Sequence, residues 1–153
     1  MNCLFKVLIG RQQNCVKATG FMDTGNTLKD ISTGKNVIVA SPEIMYELLP
    51  KGLHNILYDY TYGNDFTDRK SAICLPEGMH LVPYHTVSSV SELMLAFDCD
   101  FLFINNRLIK ESPLVGVSRC KLNINNAGKC VLLNSVYMRK VKRNDKHHSK
   151  SQL

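Results

Sequence analysis

A mainly β domain carrying one or two short helices is what this sequence predicts, on three observations. Short apolar runs of strand length recur between turn residues up to about position 136, and only one stretch shows helical spacing. The third observation is the segment Phe21-Met22-Asp23-Thr24-Gly25-Asn26, in which an apolar, strand-like run delivers an aspartate into an Asp-Thr-Gly turn. A chain of 153 residues with 44% hydrophobic content makes one globular domain with a substantial core.

Taken in order, the alternating residues Leu4, Val7 and Ile9 predict a strand over 3–9. Val16, Ala18 and Phe21 predict a second over 14–22, which places the Asp-Thr-Gly turn at a strand end. A third strand is expected over 36–40. A helix follows over 42–49: Ser41 can cap it, Pro42 suits its first turn, and Ile44, Met45, Leu48 and Leu49 form an apolar face before Pro50. The polar stretch from Leu53 to Lys70 reads as a surface excursion. Its carboxylates Asp59, Asp65 and Asp68 lack the alternate spacing and terminal Glu of a calcium loop. Further strands are expected over 71–75, 79–86, 101–105, 113–118 and 130–136.

Charge argues against nucleic acid. Of the formal net charge of +6, residues 138–153 carry a net +5 through Arg139, Lys140, Lys142, Arg143, Lys146 and Lys150 against Asp145, leaving +1 for the body. That cationic end has no apolar periodicity and reads as a disordered, solubilising tail, with residues 1–137 forming the domain. Contact with anionic lipid or an acidic segment is the lesser reading of the tail. No aromatic residues interleave with its charges to stack on bases.

The six cysteines, at 3, 15, 74, 99, 120 and 130, form no Cys-x-x-Cys pair and no histidine spacing of a zinc site. They read as reduced small hydrophobes, with Cys3, Cys15 and Cys130 lying in apolar runs. No metal or cofactor is expected. The apolar stretches are shorter than the roughly 20 residues that cross a bilayer, and the chain does not open as a signal peptide, so a cytoplasmic location is expected.

The chemistry of an Asp-Thr-Gly turn needs each residue type. The carboxylate can hold a water and cycle a proton, the Thr hydroxyl can lock the loop, and Gly admits a second backbone at close range. An ordinary turn uses Asp and Gly as well, so the tripeptide alone leaves both readings open. Pro113-Leu114-Val115-Gly116 is a second notable element, where a small residue lets another loop pack close; a plain buried strand with a glycine is its alternative.

The turn and its continuation, Asp23-Thr24-Gly25-Asn26-Thr27-Leu28 with Ser32-Thr33-Gly34-Lys35-Asn36-Val37-Ile38-Val39, resemble the sporulation sigma-E factor-processing peptidase family of endospore-forming bacteria. The resemblance continues in order through Leu81–Val87, Phe97-Asp98-Cys99-Asp100, Leu114-Val115-Gly116-Val117 and Val131-Leu132-Leu133-Asn134, covering residues 3 to 136. It implies a retropepsin-like closed β-barrel that forms half of a two-fold dimeric active site. It implies an aspartic endopeptidase that removes the propeptide of a precursor sigma factor. Asp23 matches the catalytic aspartate, Thr24 and Gly25 complete its loop, and Leu114, Val115 and Gly116 match the apolar-Gly element beneath it.

Residues 82–97, by their place in that order, are the candidate flap hairpin, with Val87, Ser88 and Ser89 at its tip and Tyr84 or His85 towards the cleft. An ordinary hairpin is the equal alternative. The tip lacks the glycine expected of the family and would be stiffer. The family also carries an amino-terminal membrane-spanning half that this sequence does not contain. An excised domain, a split gene or a shortened relic is therefore expected, with a membrane-spanning partner in the split case and a place at the cytoplasmic face of the cell membrane.

Two like carboxylates sharing one proton around a water are what an aspartic protease requires. This chain has one Asp-Thr-Gly, since Ser32-Thr33-Gly34 lacks the carboxylate. A homodimer is therefore expected, each copy giving Asp23. The alternative from another class is a catalytically silent retropepsin-like dimerisation or protein-binding module. A cysteine hydrolase built on Cys74 and His85 is a weaker one, because nothing in either local sequence activates the thiol.

Overall fold

In the computed structural model the described residues are 4–63, 75–85, 91–120, 122 and 128–138. The chain begins with a hairpin of β1 (Leu4–Arg11) and β2 (Asn14–Met22), paired from Leu4↔Phe21 to Arg11↔Asn14. The inward residues Val7, Ile9 and Val16 of that hairpin are all buried, as their alternation requires. Then come β3 (Val37–Ala40), α1 (Pro42–Leu48) and α2 (His54–Tyr62). They are followed by β4 (Met79–His85), β5 (Ser91–Asp98), β6 (Phe101–Ile104), β7 (Arg107–Leu108), β8 (Leu114–Val117) and β9 (Cys130–Leu133).

The nine strands among the described residues form one sheet in the order β4-β5-β8-β3-β9-β2-β1-β6-β7. The fold is mainly β with few short helices, but the expected closed barrel is not formed. Closure needs the two end strands to pair at a consistent stagger. Among the described residues β4 pairs with β5 alone, and β7, two residues long, pairs with β6 alone. The sheet therefore stays open, with α1 packed on the β1–β2 hairpin.

One large apolar core gathers Val7 and Ile9 of β1, Ile38 of β3, Leu95 and Phe97 of β5, Val115 and Val117 of β8 and Val131 and Leu133 of β9. Ile44, Met45 and Leu48 of α1 and Leu57 and Tyr60 of α2 join it. A smaller cluster on the sheet unites Val37, Val82, Met94, Ala96 and Leu114, with Leu28 and Tyr84 packed against it.

Several local expectations are revised. The excursion after Leu53 contains helix α2, because Leu57 and Tyr60, three residues apart on one face, are both buried. The Arg119 guanidinium lies 4.3 Å from the centroid of the Tyr60 ring. Ser41 does not cap α1 with its side chain; its Oγ accepts the Cys130 N–H at 3.3 Å, while its carbonyl accepts the Ile44 N–H. The strand expected over 101–105 ends at Ile104, because Asn105 and Asn106 take φ of 50° and 65° and make a two-residue hairpin turn into β7. The last strand stops at Leu133, after which residues 136–138 are helical, with the Tyr137 and Met138 N–H groups donating to the Asn134 and Ser135 carbonyls.

Cys15 is exposed rather than core, whereas Cys130 is buried. Leu75 lies outside any strand, and the remainder of the strand expected over 71–75 falls outside the described residues, as do Cys3, Cys74 and nearly all of 138–153. Among the described residues no helix is long and apolar enough to cross a membrane.

Candidate functional site

The Asp-Thr-Gly turn hangs from the end of β2, and β9 holds it there. β2 and β9 run parallel in register from Thr19↔Cys130 to Met22↔Leu133. The pairing extends one step further, because the Asp23 N–H donates to the Leu133 carbonyl at 3.3 Å. The chain then reverses: the Asn26 N–H donates to the Asp23 carbonyl at 3.0 Å, and the Gly25 N–H donates to Asp23 Oδ1 at 3.0 Å. This is the turn that Asp builds with its own backbone.

Two asparagines lock the turn to the sheet. The Asn26 side-chain amide donates to the Val37 carbonyl at 3.2 Å, and its Oδ1 accepts the Leu28 N–H at 3.1 Å. Asn134 donates through Nδ2 to the Leu28 carbonyl at 2.9 Å and the Val37 carbonyl at 3.4 Å, and its Oδ1 accepts the Val136 N–H. The Ser135 N–H closes the arrangement on the Asn26 carbonyl at 2.8 Å. The β3–β9 ladder spans only Val39↔Leu132 and Ala40↔Val131, so Asn134 supplies from its side chain the partners that the backbone no longer provides. Neither asparagine stood out as functional in the sequence. The available signal was a buried-length apolar run ending in Asn directly before a turn.

Asp23 is half-buried, and Thr24 and Gly25 are exposed. Among the described residues a Cβ added to Gly25 would meet only Asp23 Oδ1, at 3.4 Å, and none of them makes the close approach expected at that glycine. Asp30, the next carboxylate along the chain, is 4% exposed and turned into the hydroxyls of Ser32 and Thr33.

Leu114, Val115 and Gly116 are fully buried in β8, parallel to β3. They meet the turn indirectly, through the small apolar cluster that Leu114 shares with Val37 and Leu28 and through the Leu114 N–H on the Asn36 carbonyl at 2.9 Å. The hydrogen bonds to the turn itself involve Leu133 of β9, Ser135 after it and Val37 of β3, and none comes from β8 among the described residues. A Cβ on Gly116 would lie 2.4 Å from Met94 Sδ and 3.2 Å from Val37 Cγ1.

The candidate flap tip, Val87, Ser88 and Ser89, lies outside the described residues. Its stem is a regular hairpin from Met79↔Phe97 to His85↔Ser91, in which the Tyr84 hydroxyl donates to Glu92 Oε2 at 2.6 Å and His85 is exposed. Burial pushes the Tyr84 phenol above its ordinary value, and the Glu92 carboxylate adds to the rise.

Nothing described favours thiol chemistry. Burial pushes the Cys99 thiol up to about 12, and its Sγ donates to the Pro113 carbonyl at 3.3 Å. Among the described residues no three His, Cys, Asp or Glu side chains gather to hold a metal ion. A groove of about 580 Å3 bounded by Lys6, Leu8, Lys17 and Phe103 is formed on β1, β2 and β6, away from the Asp23 turn.

Comparison with known proteins bears on the same residues. The family described as Sporulation factor SpoIIGA matches residues 1–136. Among curated proteins the chain is similar to the sporulation sigma-E factor-processing peptidase of Priestia megaterium, with 23% identity over 133 residues that make up 83% of this chain. It spans 41% of the length of that relative. No solved structure matches it.

Proposed function

The chain belongs to the Sporulation factor SpoIIGA peptidase family, and from that premise we propose that it is an aspartic endopeptidase that removes the propeptide of a precursor sigma factor. The relative's name gives the substrate class. The observation that carries the mechanism is the placement of Asp23: a half-buried carboxylate at a strand end, in a turn braced by Leu133, Asn134 and Val37.

The retropepsin-like reading supplies the rest. Two Asp23 carboxylates from two copies share one proton around a water; the ionised one takes the water's proton while the protonated one donates to the scissile carbonyl. Asp30 is a poor intramolecular partner, since its oxygens already accept from Ser32 and Thr33. The exposed Gly25 and Thr24 suit the approach of an equivalent loop across a two-fold axis. Residues 1–137 are taken as the protease domain and 138–153 as a basic tail, acting at the cytoplasmic face of the membrane alongside a membrane-spanning half or partner.

The test is co-expression with a precursor sigma factor, comparing wild type with Asp23→Ala and following propeptide loss. Cleavage by wild type alone supports the proposal. A folded dimer that cleaves nothing moves the reading to a silent dimerisation or protein-binding module.

A further inference from the structure

The excursion between the Asp23 turn and β3 is a small closed unit. Lys29 bridges Asn36, the Asp30 N–H donates to the Lys35 carbonyl at 2.8 Å, and the Gly34 N–H donates to the Asp30 carbonyl at 2.7 Å, with Gly34 at a φ of 73°. Inside it, the Asp30 carboxylate accepts from Thr33 Oγ1 at 2.7 Å and from Ser32 Oγ at 3.1 Å. On its other side, Asp30 Oδ2 lies 3.9 Å from Nδ1 of His80 on β4. The second ring nitrogen of His80, Nε2, lies 3.1 Å from Oδ1 of Asp98 at the end of β5. Lys35 Nζ returns to the same Asp98 oxygen at 3.8 Å, closing a ring of four side chains from three elements.

An imidazole between two carboxylates has a definite preference. Neutral, it offers one N–H and one lone pair, so one carboxylate must face a lone pair; protonated, it donates on both sides. The 3.9 Å separation on the Asp30 side is an ion-pair distance, which only the charged ring makes attractive. The other charged groups around the ring are Lys35 from the excursion and, from β1, Arg11. Arg11 Nη2 and Asp98 Oδ2 each lie 3.4 Å from where a Cβ would stand on Gly78. Glu77 and Asp100 line the adjoining cavity with Arg11 and Asp98.

We propose that His80 is a positioning residue: when protonated it clamps the 29–36 excursion onto the β4–β5 hairpin, and through the base of that excursion it steadies the Asp23 turn. The base is the Val37 N–H on the Leu28 carbonyl at 3.0 Å, and the carbonyls of these same two residues accept the side chains of Asn26 and Asn134. Displacing the excursion therefore displaces the acceptors that orient the turn. Its bearing on catalysis rests on the proposed role of Asp23, whereas the clamp itself does not.

The experiment reads the clamp without substrate. Amide exchange of Asp30 and Gly34, corrected for intrinsic rate, is measured by NMR on the full chain at about pH 5.5 and about pH 8, either side of the usual histidine range. In the same spectra the Gly25 and Asn26 amide shifts are followed. Wild type should show protection several-fold greater at the lower pH, and the Gly25 and Asn26 shifts should move with the same midpoint. His80→Gln keeps a donor without the charge and should show neither dependence. Asp98→Asn, at a half-exposed site, should weaken both and serves if the first variant does not fold. Equal pH dependence in wild type and variant, or Gly25 and Asn26 shifts that ignore the transition, overturns the proposal. A failure of Asp23 to catalyse leaves these readings unchanged.

Discussion

The side-chain amide of Asn134 donates to the main-chain carbonyl of Leu28 at 2.9 Å, joining residues 106 positions apart. The same nitrogen reaches the Val37 carbonyl, so one side chain spans both arms of the excursion that follows Asp23. Asn134→Ala, at a site that is 2% exposed, takes one hydrogen bond from each of these carbonyls, leaving the Val37 N–H on Leu28 and the Asn26 amide on Val37, and takes the acceptor from the Val136 N–H. It should cost about 1–3 kcal/mol in urea unfolding and lower cleavage beyond the loss of folded protein. A variant of wild-type stability and activity would remove Asn134 from the account of the turn.

Asp23→Asn preserves size and leaves an oxygen for the Gly25 N–H, so the fold should persist with an unchanged circular dichroism spectrum. Cleavage should fall by about 10²–10⁴-fold, because an amide cannot cycle a proton. Retained activity would dismiss this aspartate as the acid–base group.

A site assembled from two copies makes activity depend on the square of protein concentration well below the dimer constant. Mixing wild type with excess Asp23→Asn should suppress cleavage as mixed dimers form. Rates that stay proportional to dilute enzyme, with a monomer in sedimentation, would exclude the shared dyad.

Gly116→Ala should destabilise the protein by about 1–3 kcal/mol through overpacking. The new methyl would stand 2.4 Å from Met94 Sδ and 3.2 Å from Val37 Cγ1. Because Met94 is flexible, a double-mutant cycle with Met94→Ala should show favourable coupling. Additive losses would mean that the contact with Val37 dominates.

Burial by itself raises the Asp30 carboxyl, but the Thr33 and Ser32 hydroxyls, the Ser32 backbone and nearby His80 outweigh it and hold the group below its ordinary value of 3.8. A depressed carboxyl contributes stability above its unfolded value and loses it as pH falls through the folded one. Asp30→Asn should therefore cost about 1–3 kcal/mol at neutral pH, with the difference from wild type narrowing in acid below 3.8. Denaturant midpoints at several pH values measure it, and a difference constant down to strong acid would contradict the assignment.

Much of the local structure was legible in the residues. The alternation in Leu4–Arg11 and Asn14–Met22 placed the first hairpin, and the apolar spacing of Ile44, Met45 and Leu48 placed α1. Helix α2 was obscured because Tyr58, Asp59, Thr61 and Tyr62 look like loop, while Leu57 and Tyr60 are buried in the core and Ile56 packs against it. β5 was legible only as one arm of a hairpin, because Met94 to Phe97 are buried in succession and show no alternation.

At the candidate site, Asp23, Thr24 and Gly25 were recognisable because their turn is made by neighbours: Asp23 Oδ1 accepts from a backbone only two residues on. What braces that turn was not, since the insertion of β9 between β2 and β3 and the reach of Asn134 to Leu28 and Val37 join distant segments. The sequence by itself determined most of the strands, the first helix and the aspartate-bearing turn, because periodicity and turn chemistry act over a few residues. Only the tertiary structure decided that the sheet stays open, that Leu133 and Ser135 rather than β8 hydrogen-bond the turn, and that His80 stands between Asp30 and Asp98. Each of those depends on which distant backbone groups lack partners once the core has closed, a condition no local pattern encodes.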